Sequence, residues 1–104
     1  MGPFFHTFSV LSEAEIETGI RVRTLSVGTV QIRHLIFEPE TLIPDHRHPE
    51  AVVTMILDGT MEMTVGDETQ EVTARDVFRV PPKTDHSGRV FSERVVAVSW
   101  SPIQ

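Results

Sequence analysis

Ala51-Val52-Val53-Thr54-Met55-Ile56-Leu57-Asp58-Gly59-Thr60-Met61-Glu62-Met63-Thr64-Val65 begins as an apolar run rich in β-branched residues and ends as an alternation. The first half suits a buried strand, because branched side chains pack well on a pleated surface. In the second half Met61, Met63 and Val65 alternate with Thr60, Glu62 and Thr64, the period of two that puts one face on a core and the other in water. Asp58-Gly59 between them predicts a hairpin with a type I′ turn, since both residue types tolerate positive φ. Gly66-Asp67 predicts a second turn before a polar strand near Thr69 to Thr73.

The same period extends outward. Val30, Ile32, His34 and Ile36 alternate with Gln31, Arg33, Leu35 and Phe37, a strand with two partly apolar faces. Asp76 to Val80 reads as a short strand stopped by Pro81-Pro82. Val96, Val98 and Trp100 alternate with Val95, Ala97 and Ser99 until Pro102 ends the last strand. About eight to ten short strands at regular spacing predict an all-β antiparallel sandwich or barrel. One segment departs from this. Ser12-Glu13-Ala14-Glu15 has the capping-box form and Gly19 makes a stop, which predicts a short N-terminal helical turn with Glu13, Glu15 and Glu17 on its solvated face. The chain reads as one domain over residues 1–104. Residues 1–18 form an N-terminal segment, and its apolar stretch Phe4 to Val10 is expected at an oligomer interface, giving a homodimer.

Composition excludes several functions. At 104 residues with 39% hydrophobic residues, the chain can build one core. No apolar run approaches the roughly 20 residues needed to span a bilayer, so no membrane partner is expected. Met1-Gly2-Pro3-Phe4-Phe5 has neither the pattern of a secretory signal nor that of myristoylation. With no cysteine, disulfides, thiol nucleophiles and thiolate metal sites are out, and a cytoplasmic location is expected. A net charge of −6 without a basic block argues against nucleic acid.

His46-Arg47-His48 is the triplet that points to chemistry. On an extended backbone residues two apart project to one side, so both imidazoles face one way and Arg47 the other. Two neutral imidazoles so placed can share a metal if a third ligand arrives from elsewhere, and His86, just after Pro81-Pro82-Lys83-Thr84-Asp85, is the candidate. Imidazole and oxygen donors suit a divalent transition metal such as Zn, Mn, Fe or Ni. Glu50, or a hydroxide on the metal, is the candidate general base. Arg33, Arg79 and Arg89 are candidates for gripping a substrate carboxylate, and Trp100 could wall a pocket for a small-molecule ligand. Lys83 reads as a turn lysine near the pocket mouth, and His34 as a structural histidine mid-strand.

The order of these features resembles the cupin superfamily. Its first motif corresponds to Glu40 through Gly59 and its second to Arg75 through His86. The likeness covers nearly the whole chain and is greatest to small single-domain cupins, including the pectin-degradation proteins acting on unsaturated uronates, in His46-Arg47-His48-Pro49 and the strand after it. It implies a double-stranded β-helix, or jelly-roll, barrel with metal on His46, His48 and His86. Glu40, Arg75 and Lys83 stand where the motifs usually carry glycine, and Val90 where the second may end in asparagine; Gly59 keeps its place. Val52 stands seven before Gly59, where the family usually supplies a fourth ligand as Glu or Gln. Glu50 either replaces that ligand or is a solvated loop acid. The resemblance implies two kinds of function. One is a metalloenzyme of isomerase, lyase or dioxygenase type acting on a small oxygenated or carboxylate-bearing molecule. The other is a non-catalytic cupin that senses or stores a small ligand or metal.

Overall fold

The structure is a computed structural model and describes residues 4–103. The readings made of Met1 to Pro3 lie outside the described residues. Ten strands follow in order: β1 Ala14–Glu17, β2 Ile20–Val27, β3 Val30–Phe37, β4 Leu42–His46, β5 Val52–Asp58, β6 Thr60–Val65, β7 Glu68–Thr73, β8 Val77–Val80, β9 His86–Val90 and β10 Val95–Pro102. They form a six-stranded sheet ordered β1-β2-β3-β10-β5-β8 and a four-stranded sheet ordered β4-β9-β6-β7, antiparallel throughout. Their inner faces enclose a core in which Ile56, Met61, Val90, Val95 and Ala97 are sealed from water.

Two local expectations are corrected. No helical turn forms at Ser12 to Glu15; Ala14–Glu17 is β1, an edge strand paired with β2. A helix of so few residues cannot offset its nucleation cost, whereas the extended form places Glu13 against Arg21 at 3.1 Å and Arg23 at 3.8 Å. Glu13 is therefore part of an ion-pair cluster and not of a free helical face. Asp58-Gly59 is not a hairpin either. β5 lies in the large sheet and β6 in the small one, so this dipeptide carries the chain from one sheet to the other. Gly59 has positive φ (91°) and Asp58 does not, which excludes the type I′ turn. The Gly66-Asp67 turn is a true hairpin joining β6 and β7.

Register assigns the faces. Ala97 is opposite Leu35 and Ile56, and Ser99 opposite Arg33 and Thr54, in rows that point inward. The alternate rows, with His34, Val98 and Met55 and then Ile32, Trp100 and Val53, point outward. His34 is thus on the outer surface, its ring 5.7 Å from that of Phe8. Phe4 to Val10 forms no strand in this chain, and Phe4, Phe5 and Val10 are 84%, 79% and 74% exposed.

Glu40, Arg75 and Lys83 have φ of 65°, 76° and 57°. These are the residues that the resemblance sets at motif glycine positions, and each adopts the left-handed conformation that glycine reaches freely. Long-range backbone bonds hold it: Glu40 N–H donates to Phe91 O at 2.8 Å, Arg75 N–H to Ile56 O at 2.8 Å and Lys83 N–H to His48 O at 2.8 Å. A left-handed residue with a Cβ costs about 1–2 kcal/mol, part of which glycine returns through unfolded-state entropy. Glu40→Gly and Arg75→Gly are each expected to raise stability by about 0.5–1 kcal/mol, read from the midpoint of urea unfolding. Loss of stability in both would mean that their side chains hold these turns.

Candidate metal centre

The local fold explains why three histidines meet. Ile43 pairs with Gly88 and His46 with His86, and the register shifts between these pairs. Three steps along β4 therefore match two along β9, which is a β-bulge over Pro44-Asp45. Strict alternation from the inward Ile43 would turn His46 outward; the extra residue turns it inward, directly across from His86. His48, two residues on, follows the same side. His86 is held between β4 and β6, opposite Val65 on the latter, and is only 6% exposed.

One ligand nitrogen from each of His46, His48 and His86 lies within 4.8 Å of the others. The His46 and His86 ring centroids are 4.0 Å apart, those of His48 and His86 4.7 Å, and those of His46 and His48 5.7 Å. Each ring uses Nδ1 on a backbone carbonyl two residues away: His46 on Pro44 O at 2.7 Å, His48 on Glu50 O at 3.2 Å, and His86 on Thr84 O at 3.0 Å. A carbonyl only accepts, so Nδ1 carries the proton and donates, and Nε2 keeps its lone pair on every ring. Such outer bonds orient imidazole ligands and raise their basicity. Nitrogens bound at about 2.0–2.1 Å to one ion stand roughly 3–3.5 Å apart, so a modest inward turn of the rings suffices for the group to fit.

Arg47 faces away, as its position predicts, and forks onto Asp85 with Nε to Oδ1 at 2.8 Å and Nη2 to Oδ2 at 3.1 Å. The pair is exposed, so its worth is geometric more than energetic. With the Lys83 to His48 backbone bond it ties the His46–His48 segment to the turn before His86.

Burial holds the His86 imidazole below its usual 6.5. The bond to Thr84 opposes this, and His46 and His48 push the same way as burial. The unfolded chain therefore takes up a proton near pH 6.5 that the folded, metal-free chain resists. This contribution to stability is full above about pH 6.5 and is lost as pH falls toward the folded value. Urea midpoints of metal-free protein are expected to fall from pH 7.5 to 5.5 with a slope that His86→Ala reduces; an unchanged slope in the variant would contradict the assignment.

The histidines line a cavity of about 550 Å³ between the two sheets. Arg33, Glu50 and Val52 share its wall, with Asp45, Thr54 and Ser99, which sequence reading did not single out. The signal for Ser99 was its alternation with Val98 and Trp100, which puts it on the face of Ala97. Glu50 is half-buried, with Oε1 3.9 Å from His48 Nδ1, and is not in the ligand cluster. It is thus neither a solvated loop acid nor a fourth member of the cluster. Arg79 and Trp100 are exposed on the outward face and do not line this cavity. Arg89 is also outside it, 3.7 Å from Glu62 and stacked over Phe91.

Two antiparallel sheets closed over a pocket, with two histidines from one strand end meeting a third from the strand beside it, define a cupin. A family model described as Cupin domain matches residues 33–100, and the chain belongs to the cupin family. A curated Bacillus subtilis protein, H2HPP isomerase, is 29% identical over 76 residues, covering 72% of this chain. The chain spans about a third (32%) of that relative's length. Among solved structures, an RmlC-like cupin from Shewanella frigidimarina superposes with a TM-score of 0.84 at 20% identity, covering 97% of this chain and 92% of that one. KdgF from Halomonas sp. gives 0.77 at 18%, covering 89% and 87%. A mutant of Bacillus subtilis oxalate decarboxylase gives 0.83 at 19%, covering 94% and 29%. At these identities the structural likeness is one of fold. Among the described residues no helix is long and apolar enough to cross a membrane.

Proposed function

We propose that His46, His48 and His86 hold a divalent transition metal, Zn, Mn, Fe or Ni, and that the adjoining cavity takes a small oxygenated molecule for isomerase, lyase or dioxygenase chemistry. The observation that carries this reading is the convergence of three imidazoles, each with its proton fixed on Nδ1 by a backbone carbonyl. An ion bound there would supply Lewis acidity to a ligand oxygen. The rest falls to the chain's own residues. The carbonyls of Pro44, Glu50 and Thr84 keep the rings aimed, Glu50 stands at the cavity wall as a carboxylate able to take a proton from the ligand, and Val52 stands where a fixed anionic ligand is missing. The curated relative named an isomerase supports the isomerase arm. The test is metal content and turnover together. Untagged protein is expected to carry about one divalent ion per chain, and His46→Ala to lose both the ion and conversion of sugar-acid substrates or oxygen uptake. A metal-free chain whose His46→Ala variant binds ligand as the parent does would sink it.

Val52, and the position of Glu50 outside the cluster, favour a second reading in which the site binds ligand or metal as a sensor and catalyses nothing. A full complement of metal with no turnover across sugar acids and oxygen would select it. We further propose a homodimer built on the exposed Phe4, Phe5 and Val10. Light scattering at micromolar concentration is expected to give about twice the chain mass of 11.7 kDa; a monomeric mass would contradict it. The lack of cysteine supports a cytoplasmic setting, which fractionation of the producing cells checks.

A further inference from the structure

Arg33 is a cation set into the cavity wall with no carboxylate in contact with it among the described residues. It lies on the inward row of β3, between Thr24 and Ser99. Its Nη2 donates to Gln31 Oε1 at 2.6 Å and Ser101 Oγ at 3.0 Å, and Ser101 is itself 3% exposed. These bonds fix the guanidinium while Nε and Nη1 have no acceptor among the described residues. No buried side-chain nitrogen or oxygen among the described residues lacks a partner, so the free donors reach solvent, and Arg33 lines the cavity. Among the described residues no carboxylate comes within 4.0 Å of this side chain. Glu50 acts on it only through space, and burial lowers its pKa. A half-buried guanidinium held by neutral groups pays desolvation that an incoming anion can offset with charge-assisted bonds.

The wall also carries the carboxylates of Glu17, Asp45 and Glu50, which disfavour a ligand with a second negative charge, and an apolar stretch. Leu35, Phe37, Met63 and Phe78 face the same space, and apolar surface there favours a hydrocarbon body. We propose that Arg33 is a carboxylate subsite and that the cavity selects monocarboxylates with a compact apolar body. This deepens the ligand-site reading above, yet it stands on Arg33 and the apolar wall and needs no metal.

The test compares 3-phenylpropionate with its neutral isostere 3-phenylpropanamide by calorimetry, on protein freed of metal by chelation and dialysis. The acid is expected to bind at least about tenfold tighter than the amide. Arg33→Met should erase that preference, Arg33→Lys should retain part of it because the charge survives without the fork, and Glu50→Gln should strengthen acid binding by removing a like charge. Equal affinity for acid and amide in the parent, a preference that survives Arg33→Met, or no binding of either compound would overturn the subsite. Cobalt(II) titration of the same samples separates this from the metal centre. Normal cobalt uptake with no acid preference overturns the subsite alone, and acid preference without cobalt uptake upholds the subsite while overturning the metal reading. If Arg33→Met fails to fold, Arg33→Lys and Glu50→Gln, with their opposite expected signs, decide the matter.

Discussion

His86→Ala is expected to lower affinity for zinc or cobalt by more than about 100-fold while the barrel remains folded. Removing a residue that merely orients a metal ligand costs about 10–100-fold in affinity, so removing a ligand must exceed that range. His86 is the middle ring of the three, 4.0 Å from His46 and 4.7 Å from His48, which are themselves 5.7 Å apart. Without it the two survivors share no close neighbour on the opposite strand. The fold should tolerate the change, because the side chain gives up one bond to Thr84 O and stands beside open space. Circular dichroism of the variant with a metal titration checks both halves. Parent-like affinity in a folded variant would mean that the ion, if bound, sits elsewhere.

The second large effect is expected at the passage between sheets. Gly59 has φ of 91°, and a Cβ built there would sit 2.6 Å from Arg94 O and 3.1 Å from Val95 Cα. Both are backbone atoms of a strand start whose Val95 is fully buried, so nothing nearby can yield cheaply. Conformational strain of about 1–2 kcal/mol and overpacking of about 1–3 kcal/mol together predict a loss of roughly 2–5 kcal/mol for Gly59→Ala. On a domain of this length that lowers Tm by on the order of 10–30 °C. Gly28 is the control: its φ is 59° and a Cβ there meets nothing within 4 Å, so Gly28→Ala should bear the conformational cost alone. Thermal unfolding of the two variants decides it, and equal losses would show that the close approach to Arg94 is not what makes Gly59 necessary.

These two sites show how far one-dimensional reading reaches. Strand positions were legible because a period of two survives in any environment that is half core and half water; Val30 to Phe37 and Val95 to Pro102 are found where alternation put them. Pairing was not. Asp58-Gly59 satisfies the local chemistry of a hairpin, and only the competition among long-range partners made β5 choose β8 and β10 over β6. The capping box at Ser12 failed for a related reason, since Arg21 and Arg23 offered the same residues a better arrangement through pairing. At the site, the meeting of three histidines was legible from His46-Arg47-His48 and His86, yet the bulge that turns His46 inward depends on how β4 meets β9 and leaves no mark in spacing. Arg33 could be separated from Arg79 and Arg89 only once register had assigned faces, because all three are arginines on alternating strands.

X-ray absorption at the metal edge, on protein loaded with one equivalent of zinc or cobalt, reads the ligand shell itself. Imidazole scattering is expected to fit three histidine nitrogens at about 2.0–2.1 Å, completed by light oxygen donors. A shell with fewer than two imidazoles, or protein that takes up no ion, would contradict the three-histidine centre.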